Sequence, residues 1–339
     1  MQGQHSKQSS FFGMIYEDLI PQDHLLCQVA AAVDFGFVSD LVSDCYCPDN
    51  ERPSWDPLVL FKVVFLQFLY DLSDREIEEQ VNFHLVRKWF AGLGPEEHAP
   101  DHSTLSRFRS RLGPEKFQQI FNEIITQTRE AGLVSDRLQI IDATHLQAKV
   151  DLFRLPDPPA DTPAAQAPGS PDPDARFGGK SPNKGFYGYK EHMGLDPDSE
   201  LVTAVRVTPG NVADCQMLDP LIDLHTQEVT ADKGYDTDAN HCQLKDNGQR
   251  SSIIVKANRT NPEVIGQANP KSQRERPIIE RKFAEQKKYH GLAKARYWGL
   301  ARVTIQVLMT CLVVNAKKIA KLVNNGLSRP SSRLAGSYT

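Results

Sequence analysis

Three acidic residues, far apart in the sequence, have the types and local settings that could do chemistry together. Asp142 follows the apolar run at 138–141, Asp232 follows the short apolar run at 229–231, and Glu280 opens a long basic stretch. Two acids at strand ends and a third on a late helix can meet in space and hold divalent metal beside a phosphate. This pattern indicates a metal-dependent enzyme that acts on nucleic acid.

The spacing around the third acid identifies a family resemblance. Arg276, Glu280 and Lys287 form the pattern R-x3-E-x6-K, which resembles the signature of bacterial insertion-sequence DDE transposases; Gln273 stands where the fuller pattern has Tyr. The runs Asp142-Ala143-Thr144 and Ala231-Asp232-Lys233-Gly234-Tyr235 resemble the first and second acidic motifs of that family, and the run at 100–109 resembles an N-terminal motif. The four motifs occur in the family's order, and the resemblance covers roughly residues 12 to 325.

The resemblance implies a catalytic and metal-binding triad of Asp142, Asp232 and Glu280. Asp142 would bridge two Mg²⁺ ions, for which Mn²⁺ can substitute, and the other two acids would bind one ion each. The implied reaction is endonucleolytic cleavage at the element ends to free a 3′-OH, followed by attack of that 3′-OH on target DNA. The implied partners are double-stranded element ends and target DNA, with a homodimer or higher assembly when two ends are synapsed, no membrane, and a cytoplasmic, nucleoid-associated place of action.

The charge distribution supports contact with DNA. The chain carries −4 overall, but residues 271–339 hold fifteen Lys and Arg against three acids, so this segment carries +12 and the rest carries −16. A basic segment that contains the third acid fits phosphate contacts near the chemistry, although a solvated helix face is the alternative. The residues expected to contact DNA are Arg276, Lys287, Lys233, Arg107, Arg109 and Lys288.

The elements that must position these residues divide the chain into four parts. Residues 1–11 are expected to be a disordered tail, 12–134 a helical DNA-binding domain, 135–325 a catalytic domain and 326–339 a flexible tail. In the helical part, helices are predicted at 57–72, from Asp74 to about 90, from His102 to 113, and from Pro114 to about 131. Short helices joined by tight turns allow a helix-turn-helix-like DNA reader, although a plain helical bundle with solvated arginines remains the alternative.

The second half of the chain predicts a mixed α/β fold. Strands are predicted at 137–150, 184–195, 201–209, 229–232 and 252–257, with helices at 214–225 and 239–247, a polar loop at 258–275, and one or two helices from 277 to about 321. A Pro-rich insert at 155–180 indicates a flexible linker or surface loop. This order resembles the RNase H-like core, a mixed sheet with flanking helices.

Two rival functions stay open from the sequence alone. One is an RNase H-like nuclease that cuts DNA without strand transfer, and the other is a non-catalytic DNA-binding protein derived from a transposase. A small-molecule enzyme lacks support, because the chain has no Gly-rich phosphate loop, no Ser or Cys nucleophile motif and no dinucleotide fingerprint. The element ends, the target preference, the excision pathway and whether this copy is active cannot be read from the residues.

Overall fold

The computed structural model describes residues 16, 18–46, 54–155, 166–179, 185–267 and 269–326. The tail predicted at 1–11 lies outside the described residues, as does the tail predicted at 326–339 apart from its first residue. The chain divides by packing into two compact units, one formed by Met1–Leu133 with Leu308–Thr339 and the other by Val134–Val307. The family-based division placed 135–325 in one domain, whereas the packing boundary runs through the last helix.

The first unit is helical. Its helices before the catalytic part are α1 (Leu25–Ala32), α2 (Val38–Leu41), α3 (Pro57–Leu69), α4 (Asp74–Phe83), α5 (Leu85–Ala91) and α6 (His102–Glu130). Helix α3 is buried over nearly its whole length, and rings of Phe35, Phe61, Phe65 and Phe90 pack around it with centroids 5.3–6.3 Å apart. An apolar helix of this kind forms the centre of a bundle, because no face of it is left for water.

Local signals in the sequence define where these helices begin. Asp56 accepts a hydrogen bond from the Leu58 N–H, with Pro57 in the first turn of α3. Ser73 and Glu76 form a complete capping box at α4, as predicted. The predicted helix from Asp74 to about 90 is wrong in one respect: it is two helices, because His84 adopts an extended conformation between α4 and α5.

Helix α6 contains the predicted break. Gly113 has φ 66° and ψ 172°, which are not helical values, and Pro114 follows it. Proline has no N–H to donate and restricts the preceding residue, so the backbone leaves the helix there and resumes at once. The prediction of one helix ending at 113 and another starting at Pro114 is therefore confirmed.

The second unit is built on a six-stranded mixed sheet. Its strands are β1 (Leu138–Gln147), β2 (Arg176–Gly179), β3 (Gly185–Asp196), β4 (Leu201–Pro209), β5 (Glu228–Ala231) and β6 (Arg250–Ser251). Strand β3 pairs antiparallel with β1, β2 and β4, while β5 is parallel to both β1 and β6. Across the sheet the long strands run in the order β4-β3-β1-β5-β6 with only β3 reversed, which is the arrangement of the RNase H-like fold predicted from the sequence.

The α-helices that the structure describes in the second unit all come after β5 in the sequence. They are α7 (Asp238–Asp246), α8 (Pro262–Gln267), α9 (Pro270–Arg274), α10 (Pro277–Tyr289) and the first part of α11 (Leu300–Asn324). The predicted break between two C-terminal helices is confirmed, since α10 ends before Gly291, where φ is 65°, and α11 begins after Gly299, where φ is 89°.

Three predictions in this unit were wrong. The helix predicted at 214–225 is two 3₁₀ turns, Asp214–Met217 and Asp219–Leu221, because Pro220 lies in this segment. The strand predicted at 252–257 is instead the short β6 at Arg250–Ser251, although the N–H groups of Ser252 and Ile254 still donate to Val229 and Ala231. The polar loop predicted at 258–275 contains α8 and α9. Both of these helices begin at a proline, which fits the first helical turn.

The Pro-rich insert is partly packed. Residues 156–165 and 180–184 lie outside the described part, but 166–179 include the strand β2 and the buried Asp172. The Asp172 Oδ1 atom accepts hydrogen bonds from the Tyr189 hydroxyl (2.5 Å) and the Gly299 N–H (3.2 Å). This part of the insert is therefore fixed to β3 and to the start of α11 and is not a free loop.

Helix α11 is long and apolar enough to cross a membrane by length and composition. In its most apolar stretch of 18 residues, 83% of the residues are buried inside the protein. This burial is typical of a core helix of a folded domain, which passes the same test as a membrane span.

Candidate active site

Two of the three predicted acids meet at the centre of the sheet. In the parallel ladder of β1 and β5, Ile141 lies opposite Ala231. Asp142 directly follows Ile141 and Asp232 directly follows Ala231, so the two carboxyl groups lie side by side where β5 ends. The carboxyl ends of adjacent parallel strands are where open α/β sheets form their binding sites.

A guanidinium group lies between these two carboxyl groups. The Arg276 Nη2 donates to Asp142 Oδ2 at 3.1 Å, and Arg276 Nη1 lies 3.6 Å from Asp232 Oδ1. The first distance is a hydrogen bond, whereas the second is an ion pair that is too long for a good hydrogen bond. The sequence predicted Arg276 to contact DNA and did not predict this internal pairing.

A second arginine fixes the position of Arg276. Arg137, the residue before β1, donates through two nitrogens to both carboxylate oxygens of Glu275, at 3.2 and 2.9 Å. It also binds Asp198 at 2.8 and 3.0 Å. A two-bond arginine–carboxylate contact restricts geometry as well as distance. The end of α9 is thereby held at the start of β1, and the next residue, Arg276, is directed at the acids.

The Asp142 carboxyl is in an unfavourable setting for its charge. Burial raises its pKa above the usual value for Asp, and the neighbouring negative charge of Asp232 acts in the same direction. A hydrogen bond from the Ala143 N–H, 2.8 Å from Asp142 Oδ1, and the positive charge of Arg276 oppose this effect. The pKa of Asp142 is raised overall because the cost of burying its charge outweighs the stabilisation from Arg276 and the Ala143 N–H, and a perturbed carboxyl of this kind is typical of functional sites.

The third acid, Glu280, is on the correct helix face but is not gathered with the other two. With 100° per residue, Glu280 and Lys287 project about 40° and 20° from the direction of Arg276, so the three share one face of α10. Arg276 and Lys287 both contact β1, whereas the Glu280 side chain is exposed. Within the described residues, no three His, Cys, Asp or Glu side chains form a group that could hold a metal ion.

The lysine of the signature also contacts β1. Lys287 Nζ donates to Thr144 Oγ1 at 2.6 Å. Burial lowers the pKa of Lys287, and the negative charge of the buried Glu191 opposes that shift. Glu191 lies directly across from Thr144 in the β1–β3 ladder and accepts a hydrogen bond from Gln286 at 3.0 Å. Thr144, Glu191 and Gln286 were not singled out from the sequence, although Thr144 has the i+2 spacing that puts it on the same strand face as Asp142.

The turn after Asp232 is held by a buried polar cluster. The Asp236 carboxylate accepts from His241 Nε2 (2.8 Å), Arg259 Nε and Nη2 (2.9 and 2.6 Å) and the Lys256 N–H (2.7 Å). Burial alone would raise the pKa of Asp236, but these hydrogen bonds lower it to about 2. Since only three residues separate Asp232 from Asp236, this cluster positions the second acid.

The Tyr235 side chain of the same turn is fully buried next to the acids. Burial raises its pKa, and the charges of Asp214, Asp142 and Asp232 raise it further. Its hydroxyl group has no hydrogen-bond partner among the described residues. A buried hydroxyl without a partner is rare in proteins and marks a place where a further polar group is accommodated.

The remaining residues predicted to contact DNA separate into exposed and buried cases. Lys233, Lys288 and Arg107 are exposed, which leaves their charges accessible to phosphate. Arg109 is buried and donates to Gln67 Oε1 (3.0 Å) and to Asp74 Oδ2 (2.6 Å). The guanidinium of Arg109 therefore links helices α3, α4 and α6, and its expected role at a DNA surface does not fit this position.

Neither histidine near the acids has the setting of a metal ligand. His192 is buried, shares a hydrogen bond with Thr208 at 2.9 Å, and burial lowers its pKa to about 4. His145 stacks on Phe186 with ring centroids 5.0 Å apart. Both side chains fill strand positions, His145 on β1 and His192 on β3.

The residues present fit a divalent cation. Two hard carboxylate oxygen donors stand side by side, a third carboxylate lies on the adjoining helix face, and the group now between the first two is itself a cation. Mg²⁺ binds through one or two carboxylates while keeping several waters, so this donor set is sufficient. Asp142 and Asp232 would hold the metal, and Glu280, exposed on α10, is the third acid that the sequence pattern predicts for the site.

Comparison with known proteins gives a consistent result. The model of the family "Transposase DDE domain" matches residues 135–316, and that of "Transposase domain (DUF772)" matches residues 14–111. The transposase for insertion sequence element IS1106 of Neisseria meningitidis serogroup B is 30% identical over 237 residues, which cover 67% of this chain and 80% of the relative. A solved piggyBac transposase synaptic complex with hairpin DNA is similar over 96% of this chain and 78% of that chain, with 11% identity and a TM-score of 0.43.

Proposed function

The chain belongs to the DDE transposase family, and from this we propose that Asp142, Asp232 and Glu280 are the acids of its metal site. The protein is a DNA transposase of the insertion-sequence type, an enzyme that cleaves and transfers DNA strands with divalent metal. The observation that carries our assignment is the pair of adjacent carboxyl groups, Asp142 within β1 and Asp232 directly after β5, with the pKa of Asp142 raised by burial. Glu280 joins them because it shares a helix face with Arg276 and Lys287, both of which already contact β1.

In the proposed reaction, the acids hold Mg²⁺, with Mn²⁺ as a functional substitute. When bound, the two cations would neutralise charge on the attacking and leaving oxygens of the phosphodiester. The family resemblance implies that Asp142 would be the acid shared by the two cations. Water and then the freed 3′-OH of the element end are the two nucleophiles of cleavage and strand transfer.

The substrates of the proposed site are double-stranded element ends and target DNA. The exposed Lys233 and Lys288, together with Arg107 in the helical unit, are the phosphate contacts that the geometry supports best. Arg276 and Lys287 are inward-facing and would reach phosphate only after leaving β1, and Arg109 is buried within the helical unit. We further propose a homodimer as the smallest assembly that pairs two ends, acting on the DNA of the cytoplasm.

Cleavage assays on the DNA that flanks the gene test the acid assignment. Purified protein is incubated with this DNA in EDTA, Mg²⁺ or Mn²⁺, alongside Asp142→Asn, Asp232→Asn and Glu280→Gln. Each variant should lose at least about 10²-fold of the rate, because even the outer partners of metal ligands cost about 10–100-fold when they are removed. Full activity of any one variant would remove that residue from the site.

A matched control and a product assay complete the test. Glu285→Gln changes an acid on the same helix that pairs with Lys282, and it should retain cleavage. Strand-transfer products distinguish a transposase from a nuclease of the same fold. A protein that binds the flanking DNA and cuts it with neither metal would instead be a non-catalytic derivative.

Salt dependence tests the phosphate contacts. Lys233→Gln and Lys288→Gln should each weaken binding to all duplexes alike and reduce the slope of log K against log salt by about 0.9. The exposed Lys245, which pairs with Glu263 at 2.6 Å, provides the control. An unchanged slope for either variant would show that its ammonium group does not lie on phosphate.

A further inference from the structure

Two arginine–aspartate pairs in the catalytic unit are built in opposite ways. Arg259 uses Nε, Nη1 and Nη2, and its partner Asp236 is also bound by His241 and by the Lys256 N–H. Every nitrogen of that guanidinium has an acceptor, and the pair is a structural one. It stands as an internal reference for what a fully satisfied arginine contact in this fold contains.

The pairing of Arg276 is incomplete by comparison. It makes one hydrogen bond of 3.1 Å to Asp142 and a looser contact of 3.6 Å to Asp232. Its Nε is buried without a hydrogen-bond partner among the described residues. A buried donor left unsatisfied is unfavourable, so the protein gains less from this contact than from that of Arg259.

The guanidinium group of Arg276 occupies the position between the two carboxyl groups that a bound metal ion would occupy. It touches the carboxyl groups of both Asp142 and Asp232, and a single cation that binds both carboxylates must lie in the same gap. The guanidinium and a metal ion cannot both occupy this position between the two carboxyl groups. Binding of metal and binding of Arg276 to the acids are therefore mutually exclusive.

We propose that Arg276 is an internal counter-ion that occupies the metal site, that divalent metal must displace it, and that the displaced guanidinium becomes available to a DNA phosphate. This inference rests on the proposed function of Asp142 and Asp232. It adds that the two acids are neutralised by the chain itself before metal arrives. Because coupling between ligands is reciprocal, a phosphate that holds Arg276 away from the acids tightens metal binding, and metal tightens contact with DNA.

Metal binding in the absence of DNA tests this idea without any activity measurement. Mn²⁺ is titrated into the protein and the free ion is followed by electron paramagnetic resonance. Arg276→Gln should bind Mn²⁺ at least about tenfold more tightly than the wild type, since a unit charge about 4 Å from the ligand oxygens interacts strongly at the effective dielectric of a protein. Arg281→Gln, an exposed arginine on the same helix, should leave the affinity unchanged.

The outcomes separate the inference from the proposed site. Equal or weaker Mn²⁺ binding by Arg276→Gln, with binding abolished by Asp142→Asn, would overturn the counter-ion role and leave the metal site in place. Mn²⁺ binding that is unaffected by Asp142→Asn would overturn the metal site and the inference with it.

A second variant covers the possibility that two unpaired carboxyl groups prevent folding. Arg276→Lys keeps the charge, but one ammonium group cannot contact both acids as a guanidinium does. Its Mn²⁺ affinity should fall between those of the wild type and Arg276→Gln. An affinity at or below that of the wild type would contradict the proposal.

Discussion

Replacing Asp236 with Asn tests how the turn after the second acid is held. The buried Asp236 carboxylate accepts four hydrogen bonds, three of them from the side chains of Arg259 and His241. An amide of the same shape places an NH₂ group against at least one donor and leaves Arg259 without its buried counter-charge. Removing one partner of a buried ion pair costs about 3–5 kcal/mol, so Asp236→Asn should destabilise the catalytic unit by this amount at neutral pH.

The pH dependence of this loss follows from the pKa of Asp236. Its pKa is lowered from the usual value of 3.8 to about 2, and this difference corresponds to roughly 2.5 kcal/mol at about 1.4 kcal/mol per unit. Because the folded pKa is depressed, the stabilisation is complete above pH 4 and is lost as the pH falls through 2. The gap between wild type and variant should therefore shrink by about that amount between pH 5 and pH 2.

Urea unfolding followed by fluorescence measures both quantities. A background with Trp55→Phe and Trp89→Phe leaves Trp298, which lies in the Val134–Val307 unit, as the only tryptophan. The matched control is Asp238→Asn, since Asp238 also pairs with Arg259 but its side chain is 79% exposed. Exposed pairs are worth about 0–1 kcal/mol, so this control should be nearly neutral. Equal losses for the two variants, or a gap that does not change between pH 5 and pH 2, would refute the reasoning.

Four further substitutions test the contribution of single polar side chains to stability, and the expected change in stability differs in sign among them. Tyr235→Phe should leave the free energy of unfolding unchanged or raise it by up to about 1 kcal/mol in a urea titration, because it removes a buried hydroxyl without a partner. Asp142→Asn should raise the melting temperature in EDTA at pH 7: the folded pKa of Asp142 is raised, so stability is lost as the pH rises through it, and the gain should vanish at pH 3. Arg109→Gln should lower the free energy of unfolding by about 2–4 kcal/mol because it removes the buried guanidinium that binds both Asp74 and Gln67. Arg107→Gln should change it by less than about 0.5 kcal/mol and weaken DNA binding in a gel-shift assay.

The acidic residues could be identified from the sequence because each lies in a recognisable short sequence pattern. Each of Asp142 and Asp232 follows a short apolar run that forms a buried strand segment, and the parallel ladder places Asp142, within β1, beside Asp232, directly after β5. The R-x3-E-x6-K spacing likewise places three residues on one helix face. Such features depend on residues within about three helical turns of each other, which a single sequence displays.

The partners of the arginine side chains could not be identified from the sequence because they lie far away along the chain. Arg276 and Asp142 are 134 residues apart, and Arg109 and Asp74 are 35 apart. Whether an arginine faces solvent or a buried carboxylate depends on which elements pack together, and charge composition does not contain this information. The 3₁₀ turns at 214–221 illustrate the same limit, since a polar segment with one proline fits a short helix equally well until packing decides.

Both cations of the R-x3-E-x6-K signature contact a single strand face. Arg276 binds Asp142, and Lys287 binds Thr144 two residues further along β1. Residues 142 and 144 point to the same side of the sheet, and the exposed Glu280 lies between Arg276 and Lys287 in the sequence of α10. A ligand that draws Arg276 away from β1 would remove positive charge from Asp142 and Asp232. Under the proposed assignment of the three acids, DNA binding and metal binding would therefore be coupled.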